Sequence, residues 1–319
     1  PVVIAGAAGD SAAVEDWMRT CGALSEARGA LILTDLTGDE LEDAVIYPTI
    51  VSDIGFGPEG SQGAVLIYHA DPSGGLELVH SPPIYGAPAP LKIDDINGDG
   101  QLDIAWSVES CSISCVLEAQ IVSWAGDTYT ATIEPGATIA EGTATFAPIG
   151  PDDLGSGQEL LLEGGVSKAP EGGLAVPHTE RWQSIDGGKL RRIDWRYDRE
   201  SEGNDCLGLR LVEADIALQA ADILGYGEAI ERYSAALSDP LNACSIFGMT
   251  EEDELVLLQG LASFRLIQAL ALSGDAAGAA AALASLVEGQ PEGPYTTAAQ
   301  GWLDSYTTES DPPAACDAI

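Results

Sequence analysis

The chain has 319 residues, 45% of them hydrophobic, and its 51 acidic and 13 basic side chains give a formal net charge of −38. This length allows two domains with separate cores, and the charge excludes nucleic acids and anionic membranes as partners. Divalent cations and basic proteins are the partners that the charge favours. An acidic surface with so few lysines is also typical of proteins in salty surroundings, where salt screens the self-repulsion.

The N-terminal residues 1–27 are predicted to form a lead-in segment that contains a helix. An apolar run, Val2–Ala5, precedes a helical spacing of Val14, Trp17, Met18 and Cys21. We expect this helix to pack on the first sheet of the domain that follows. Because the chain begins with Pro1 and shows no signal peptide, we also expect that a leader or a lipid anchor has been removed.

An acidic loop in residues 95–103 is the strongest sequence signal. Side-chain oxygens stand at loop positions one, three, five and nine, and Gly100 stands at position six. This spacing lets a short loop curl around one hard cation, and glycine allows the sharp turn, so the sequence predicts bound Ca²⁺. The predicted ligands are Asp95, Asn97, Asp99, Asp103 and the backbone carbonyl of Gln101.

The same pattern occurs sixty positions earlier, in residues 35–43. The predicted ligands there are Asp35, Thr37, Asp39, Asp43 and the backbone carbonyl of Leu41. Glu40 stands at the glycine position, where a left-handed turn costs about 1 kcal/mol, so we expect weaker binding. A third copy, at residues 149–160, lacks an acid at position five; we expect no ion there, with Asp153 and Glu159 as solvated turn residues.

Each copy is followed by an apolar strand (residues 44–47, 104–107 and 160–162) and then by a hairpin (residues 64–79, 119–132 and 181–195). The hairpin turns carry the Gly and Asp residues that such turns need. A unit of about 60 residues with three or four strands is typical of a β-propeller blade.

The loop before a strand, repeated at this spacing, resembles the FG-GAP/VCBS (integrin alpha-like) repeat family over roughly residues 28–200. The resemblance implies antiparallel β-propeller blades with calcium in the loops. A closed propeller needs at least four blades, and only about three can be counted. We therefore expect an open arc, a set capped by C-terminal helices, or a set completed by another chain through uncovered edge strands.

The C-terminal part, residues 201–319, is predicted to be helical after a polar linker at 201–205. Its segment 226–240, with small alanines and a final Asp-Pro, resembles the second helix of a tetratricopeptide repeat, and residues 207–224 would be the first helix. Further helices are predicted at 255–272, 276–287 and 296–306. The resemblance implies a protein-docking surface, and the fold class is therefore predicted to be α+β multidomain.

The six cysteines are an even number, they include no CxxC pair, and only three histidines accompany them, so a zinc site is not expected. The predicted disulfides are Cys111–Cys115, Cys206–Cys244 and Cys21–Cys316, with buried free thiols as the alternative. Disulfides together with calcium loops indicate an extracellular, cell-surface or periplasmic location. No stretch reaches the 18 or so apolar residues of a membrane span.

No catalytic motif is present among the known nucleophile elbows, phosphate loops and metalloprotease helices. We expect His69, His80 and His178 to be surface or turn residues, and the strand tryptophans to belong to the core. The sequence thus predicts a non-enzymatic calcium-binding structural or interaction protein, which binds a protein partner or itself. The alternatives are a secreted enzyme that acts on polysaccharides or phosphoesters, and a calcium-dependent adhesin.

Overall fold

The computed structural model describes residues 11–24, 29–51, 61–73, 75–111, 115–150, 155–165, 176–199, 205–245 and 248–309. The protein has the predicted α+β class, with antiparallel sheets followed by helices. It divides into two compact units: unit 1 is Pro1–Gly165 with Arg181–Arg191, and unit 2 is Val166–Glu180 with Arg192–Ile319. The predicted domain boundaries after residues 27 and 200 stay predictions. The run Val2–Ala5 and most of the 201–205 linker lie outside the described residues.

The strands and helices follow one another along the chain in two groups. The strands are β1 Ala30–Thr34, β2 Asp43–Tyr47, β3 Thr49–Val51, β4 Ser61–Gly63, β5 Leu66–Ala70, β6 Leu76–His80, β7 Ala87–Asp94, β8 Asp103–Cys111, β9 Cys115–Trp124, β10 Tyr129–Ala131, β11 Thr138–Ala140, β12 Thr143–Pro148, β13 Ser156–Gly164, β14 His178–Ser184 and β15 Arg191–Tyr197. The helices are α1 Ser11–Thr20, α2 Leu207–Gln219, α3 Ala221–Leu224, α4 Gly227–Ser238, α5 Glu251–Leu272, α6 Ala276–Gly289 and α7 Pro294–Glu309.

Three antiparallel sheets repeat the same strand arrangement. Sheet 1 has the order β1-β2-β5-β6, with β3 and β4 as a separate hairpin; sheet 2 has the order β10-β9-β8-β7, with β11 also on β9; sheet 3 has the order β12-β13-β14-β15. In each sheet the connection between the first two strands is one copy of the acidic motif, at residues 35–42, 95–102 and 149–155. Within the described residues, no sheet closes on itself.

The first half of β7 and the whole of β12 escaped the sequence analysis for identifiable reasons. The first half of β7 contains Pro88 and Pro90, and its pairing with β8 shifts between Pro90 and Lys92. Proline is tolerated there because β7 is an edge strand, where no neighbour needs the missing N–H. The β12 strand, TATFAP, is too polar to stand out as apolar alternation.

Sheet 2 packs between sheets 1 and 3. Val45, Ile67 and Trp106 belong to the core between sheets 1 and 2, and Ile121 and Leu160 belong to the core between sheets 2 and 3. Each of these side chains is at most 1% exposed, and burying one Val, Leu or Ile contributes roughly 1.5–3 kcal/mol. The expected placement of the tryptophans is confirmed: Trp106, Trp182 and Trp195 are buried, and Trp124 packs against the first of these cores.

The other face of sheet 1 is covered by α1, as expected from the N-terminal periodicity. Val14 and Met18 of the helix pack on Ala44, Ile46 and Tyr68. Successive residues of a strand point to opposite faces, so β2 meets the helix on one face and sheet 2 on the other. This explains why all five residues of β2 are buried.

Unit 2 contains the six helices that the structure describes in the C-terminal part. Their bounds are close to the predicted ranges. Helices α2, α4 and α5 share one core, and α5, α6 and α7 share a second. Thr250 caps α5 by accepting the Asp253 amide hydrogen, and Asp275 caps α6 by accepting that of Gly278 at 2.9 Å. By length and composition α5 could also span a membrane, but 44% of that window is buried inside the protein.

Two of the three predicted disulfides are confirmed. Cys111–Cys115 joins the facing ends of β8 and β9, and Cys206–Cys244 joins the start of α2 to the segment after α4. Cys21 is a free, exposed cysteine, and its predicted partner Cys316 lies outside the described residues. Two disulfides agree with the predicted oxidising location.

Candidate metal centre

The loop of residues 95–103, called loop 2 here, is bent around its own carboxylates. Asp95 accepts the amide hydrogens of Gly98 (2.8 Å) and Gly100 (3.0 Å), one on each oxygen. Asp99 Oδ1 accepts the Gln101 amide hydrogen at 2.8 Å. Gly98 and Gly100 have φ of +79° and +89°, which side chains other than glycine adopt at a cost. Positions one and five therefore lie against the loop backbone.

The loop of residues 35–43, called loop 1, repeats these bonds at the same positions. Asp35 accepts the amide hydrogens of Gly38 (2.7 Å) and Glu40 (2.8 Å), and Asp39 Oδ1 accepts that of Leu41 at 2.9 Å. The bond from Glu40, followed by those of its neighbours, lowers the pKa of Asp35. Glu40 adopts φ +68°, so it makes the turn that glycine makes in loop 2. The two loops thus share one fold despite the exchange at position six.

Position nine anchors both loops to the sheets. Asp103 Oδ2 accepts the Ile96 amide hydrogen at 2.9 Å, and Asp43 Oδ2 accepts the Leu36 amide hydrogen at 2.8 Å. Both aspartates are fully buried at the first residue of a strand. Each loop is therefore closed by a carboxylate that belongs to the strand following it.

The second oxygen of each position-nine carboxylate reaches a neighbouring part of the sheet. The Ser123 hydroxyl donates to Asp103, and the Ala70 amide donates to Asp43 at 2.8 Å. Burial raises the pKa of Asp103 against the hydrogen bonds from Ser123, Asn97 and Ile96, which lower it, and the Asp99 carboxylate adds a smaller rise. Negative charge is therefore crowded at this end of loop 2.

Position three differs between the loops. Asn97 Nδ2 donates to Asp99 Oδ2 and to the Gly187 carbonyl, both at 3.1 Å, and the Ser156 hydroxyl donates to the Asn97 carbonyl at 2.6 Å. Loop 2 is therefore bonded to residues of sheet 3 and of its last hairpin. Thr37, the equivalent residue of loop 1, is exposed.

Among the described residues, neither loop gathers three of its acidic side chains around one point. In the described part of the chain, the only three Asp, Glu, His or Cys side chains with ligand atoms within 4.8 Å of one another are Glu109, Cys111 and Cys115. The disulfide occupies both sulfurs of that group, whereas metals bind thiolates. A metal there would first require reduction. A cation in loop 2 would have to draw the loop carboxylates closer together.

No protein-family model matches the chain, and no curated protein sequence matches it. The chemistry of the candidate centre therefore rests on its own donor atoms. All predicted side-chain ligands offer oxygen, which suits hard cations such as Ca²⁺. A carboxylate can accept about four hydrogen bonds. Asp95 and Asp99 accept fewer than that from backbone amides, so each keeps lone pairs that could bind an ion. The residues of loop 2 fit calcium by their chemistry.

The third copy of the motif differs from its expected form. Glu159 is not a solvated turn residue: it lies in β13, is largely buried and pairs with Arg181 at 2.8 Å, because that face of the sheet places the two side chains together. Asp153 lies outside the described residues.

The histidines were expected to be surface or turn residues, and the structure places all three in strands, where they are half-buried. His69 Nε2 lies 2.9 Å from the Tyr129 hydroxyl, and the rings of His69 and His80 both pack on that of Tyr129. His178 packs on Trp195. These ring contacts join different strands, and residue spacing within one strand does not reveal them.

A second candidate site was missed entirely. It is a cavity in unit 2 lined by several arginines. The available signal was the clustering of arginine: six of the ten in the chain lie within residues 191–232.

Proposed function

We propose that the protein is a non-enzymatic, calcium-binding structural or interaction protein that acts outside the cytoplasm. The observation that carries this proposal is the shared hydrogen-bond pattern of loops 1 and 2. Sixty residues apart, they place carboxylates at positions one, five and nine and join the first two strands of similar antiparallel sheets. On this proposal the sheets are FG-GAP/VCBS-like blades and the helices are tetratricopeptide-like hairpins.

Calcium would act in these loops as a brace. Asp95, Asp99 and Asp103 bring three negative charges into one nine-residue loop, and the Asp99 carboxylate already raises the pKa of Asp103. A divalent ion bound only by the native loop offsets this repulsion and stabilises the folded state by linkage. Loop 1, with Thr37 and Glu40 in place of an amide and a glycine, binds more weakly.

The role as an interaction protein is supported by features outside the loops. Strands β1 and β6 form the two edges of sheet 1, and an uncovered edge is a template for pairing with another chain. The charge of −38 favours basic partners over acidic ones. The two disulfides fit an extracellular, cell-surface or periplasmic protein.

The test is the melting temperature in excess chelator and in excess calcium. Magnesium at equal ionic strength is the necessary control, because any divalent ion screens a charge of −38. Calcium at about 100 times its Kd should raise the free energy of unfolding by about 2.7 kcal/mol, and magnesium by much less.

In the variants Asp95→Asn and Asp99→Asn, calcium should no longer raise the free energy of unfolding. Asp127→Asn, an exposed change in the β9–β10 turn, is the matched control and should keep this effect of calcium. Equal melting temperatures in chelator and calcium, or an unchanged effect of calcium in the loop variants, would refute the proposal.

A further inference from the structure

An open cavity of about 570 Å³ in unit 2 collects four of the 13 basic side chains of the chain: Arg196, Arg199, Arg210 and Arg232. Its volume lies within the roughly 300–1,000 Å³ of small-molecule sites. Burial lowers the pKa of Arg199, and repulsion by the positive charge of Arg210 lowers it further. A protein with a net charge of −38 thus brings four arginines together at one place.

Acidic residues of two helices complete the wall. Glu228, Glu231 and Arg232 stand at i, i+3 and i+4 of α4, and therefore on one face of that helix. Glu213 lies three residues after Arg210 in α2 and also lines the cavity. The cavity therefore presents both signs of charge rather than a purely cationic surface.

The inner arginines are fixed in place from behind. Both Arg210 bonds to Asp205 are 2.7 Å long, and they form a bidentate pair. Arg232 donates to Asp194 at 2.8 Å and to the Glu213 carbonyl at 3.0 Å. The two arginine side chains are only 15% and 14% exposed. Their charges are thus held rigidly at the floor of the cavity.

The residues at the mouth keep unused hydrogen-bonding groups. The Arg196 side chain is 67% exposed and bonds Asp194 through Nε, at 2.7 Å. Arg199, 40% exposed, pairs with Glu213 through Nη2. Among the residues that the structure describes, the other donors of both guanidinium groups have no partner, and neither does the exposed Glu231 carboxylate. A guanidinium with free N–H groups suits a carboxylate, and a free carboxylate suits an ammonium group.

We propose that this cavity binds a small zwitterion, an amino acid or a short peptide. Its carboxylate would bind Arg196 and Arg199. Its ammonium group would bind Glu231, on the same helix face as the Glu228 carboxylate that already pairs with Arg232. A charge of −38 repels a free anion. The lining itself carries four arginines and four acidic residues, so its charges balance and match a ligand that carries one group of each sign. A zwitterion has no net charge, and it can bind the arginines through its carboxylate and the acidic residues through its ammonium group.

The test uses the full chain, with glycylglycine and single L-amino acids as probes. Binding is measured by titration calorimetry and by the shift in melting temperature. Sodium acetate and ethylammonium chloride present the carboxylate and the ammonium group separately. All titrations are repeated in chelator and in calcium, which separates this site from the loops. We expect saturable binding of at least one zwitterion, and no binding of the two half-ligands at the same concentration.

Four variants assign the binding to the cavity. Arg196→Gln and Glu231→Gln each remove one exposed group and should weaken binding about tenfold or more, as expected for a charged hydrogen bond. Arg19→Gln on α1 and Glu288→Gln on α6, both exposed and outside the cavity, should leave it unchanged. If no probe binds, if acetate binds as tightly, or if the cavity variants bind like the wild type, the cavity is an ion-pair network only.

Discussion

Gly98 and Gly38 provide a direct test of how loop 2 is packed, since they occupy the same position in the two loops. Their φ angles are +79° and +80°, but their surroundings differ. A Cβ atom at Gly98 would lie 2.7 Å from both the Gly157 nitrogen and the Ser156 Cβ, whereas a Cβ atom at Gly38 would meet nothing within 4 Å. An alanine at Gly38 therefore strains only the backbone of loop 1. An alanine at Gly98 strains the backbone of loop 2 and also clashes with residues 156–157.

The magnitudes follow from this difference. An alanine in a left-handed conformation costs about 1–2 kcal/mol, so Gly38→Ala should lower the free energy of unfolding by that amount. At Gly98 the clash adds about 1–3 kcal/mol, the usual cost of overpacking. Gly98→Ala should therefore cost about 2–5 kcal/mol. Gly100→Ala, at φ +89° with nothing within 4 Å, is a second control and should behave like Gly38→Ala.

Urea unfolding monitored by tryptophan fluorescence, in chelator so that calcium does not contribute, would measure all three variants. The midpoints should shift at a constant slope, so that the free energies can be compared. If Gly98→Ala is no more destabilising than the two controls, then loop 2 does not pack on residues 156–157 as described, and the reasoning fails.

Two further predictions concern the disulfides and the half-buried His80. Replacing Cys206 and Cys244 by serine should lower the free energy of unfolding by about 2–4 kcal/mol. The same change at Cys111 and Cys115 should cost about 2 kcal/mol less, because the sequence separation is 4 rather than 38; equal losses in urea unfolding would contradict this. Burial lowers the pKa of His80 below its usual 6.5. The unfolded state then binds more protons, so this contribution to stability is complete above about pH 6.5 and decreases as the pH falls towards the lower folded pKa. His80→Gln should flatten the stability profile between about pH 7 and 5, and an unchanged profile would exclude His80 as the cause.

Local signals explain what could be predicted from the sequence. The bends at Asp35 and Asp95 depend on oxygen and glycine spacing within nine residues, and both lie between strands as expected. The helix predicted at residues 255–272 follows from its long apolar composition, and the structure begins it four residues earlier, after Thr250. Features of this kind need no knowledge of distant contacts.

Contacts between distant residues explain what was missed. His69 meets Tyr129 sixty positions away, and Glu159 meets Arg181 across a strand pair. The arginine cavity depends on Arg196 and Arg232 reaching the same carboxylate, Asp194, from β15 and from α4. No spacing rule within one element predicts these meetings, because only the packing of the elements creates them.

Helix α1 covers the face of sheet 1 that points away from sheet 2. Stacked repeats stay soluble when a terminal element with a polar outer side ends the row, and Val14 and Met18 take the place on Ala44 and Ile46 that another sheet would need. While the helix remains docked, this face of sheet 1 is therefore covered by the protein's own side chains. Detaching these ten residues would expose the apolar side chains of Ala44, Ile46 and Tyr68 to solvent.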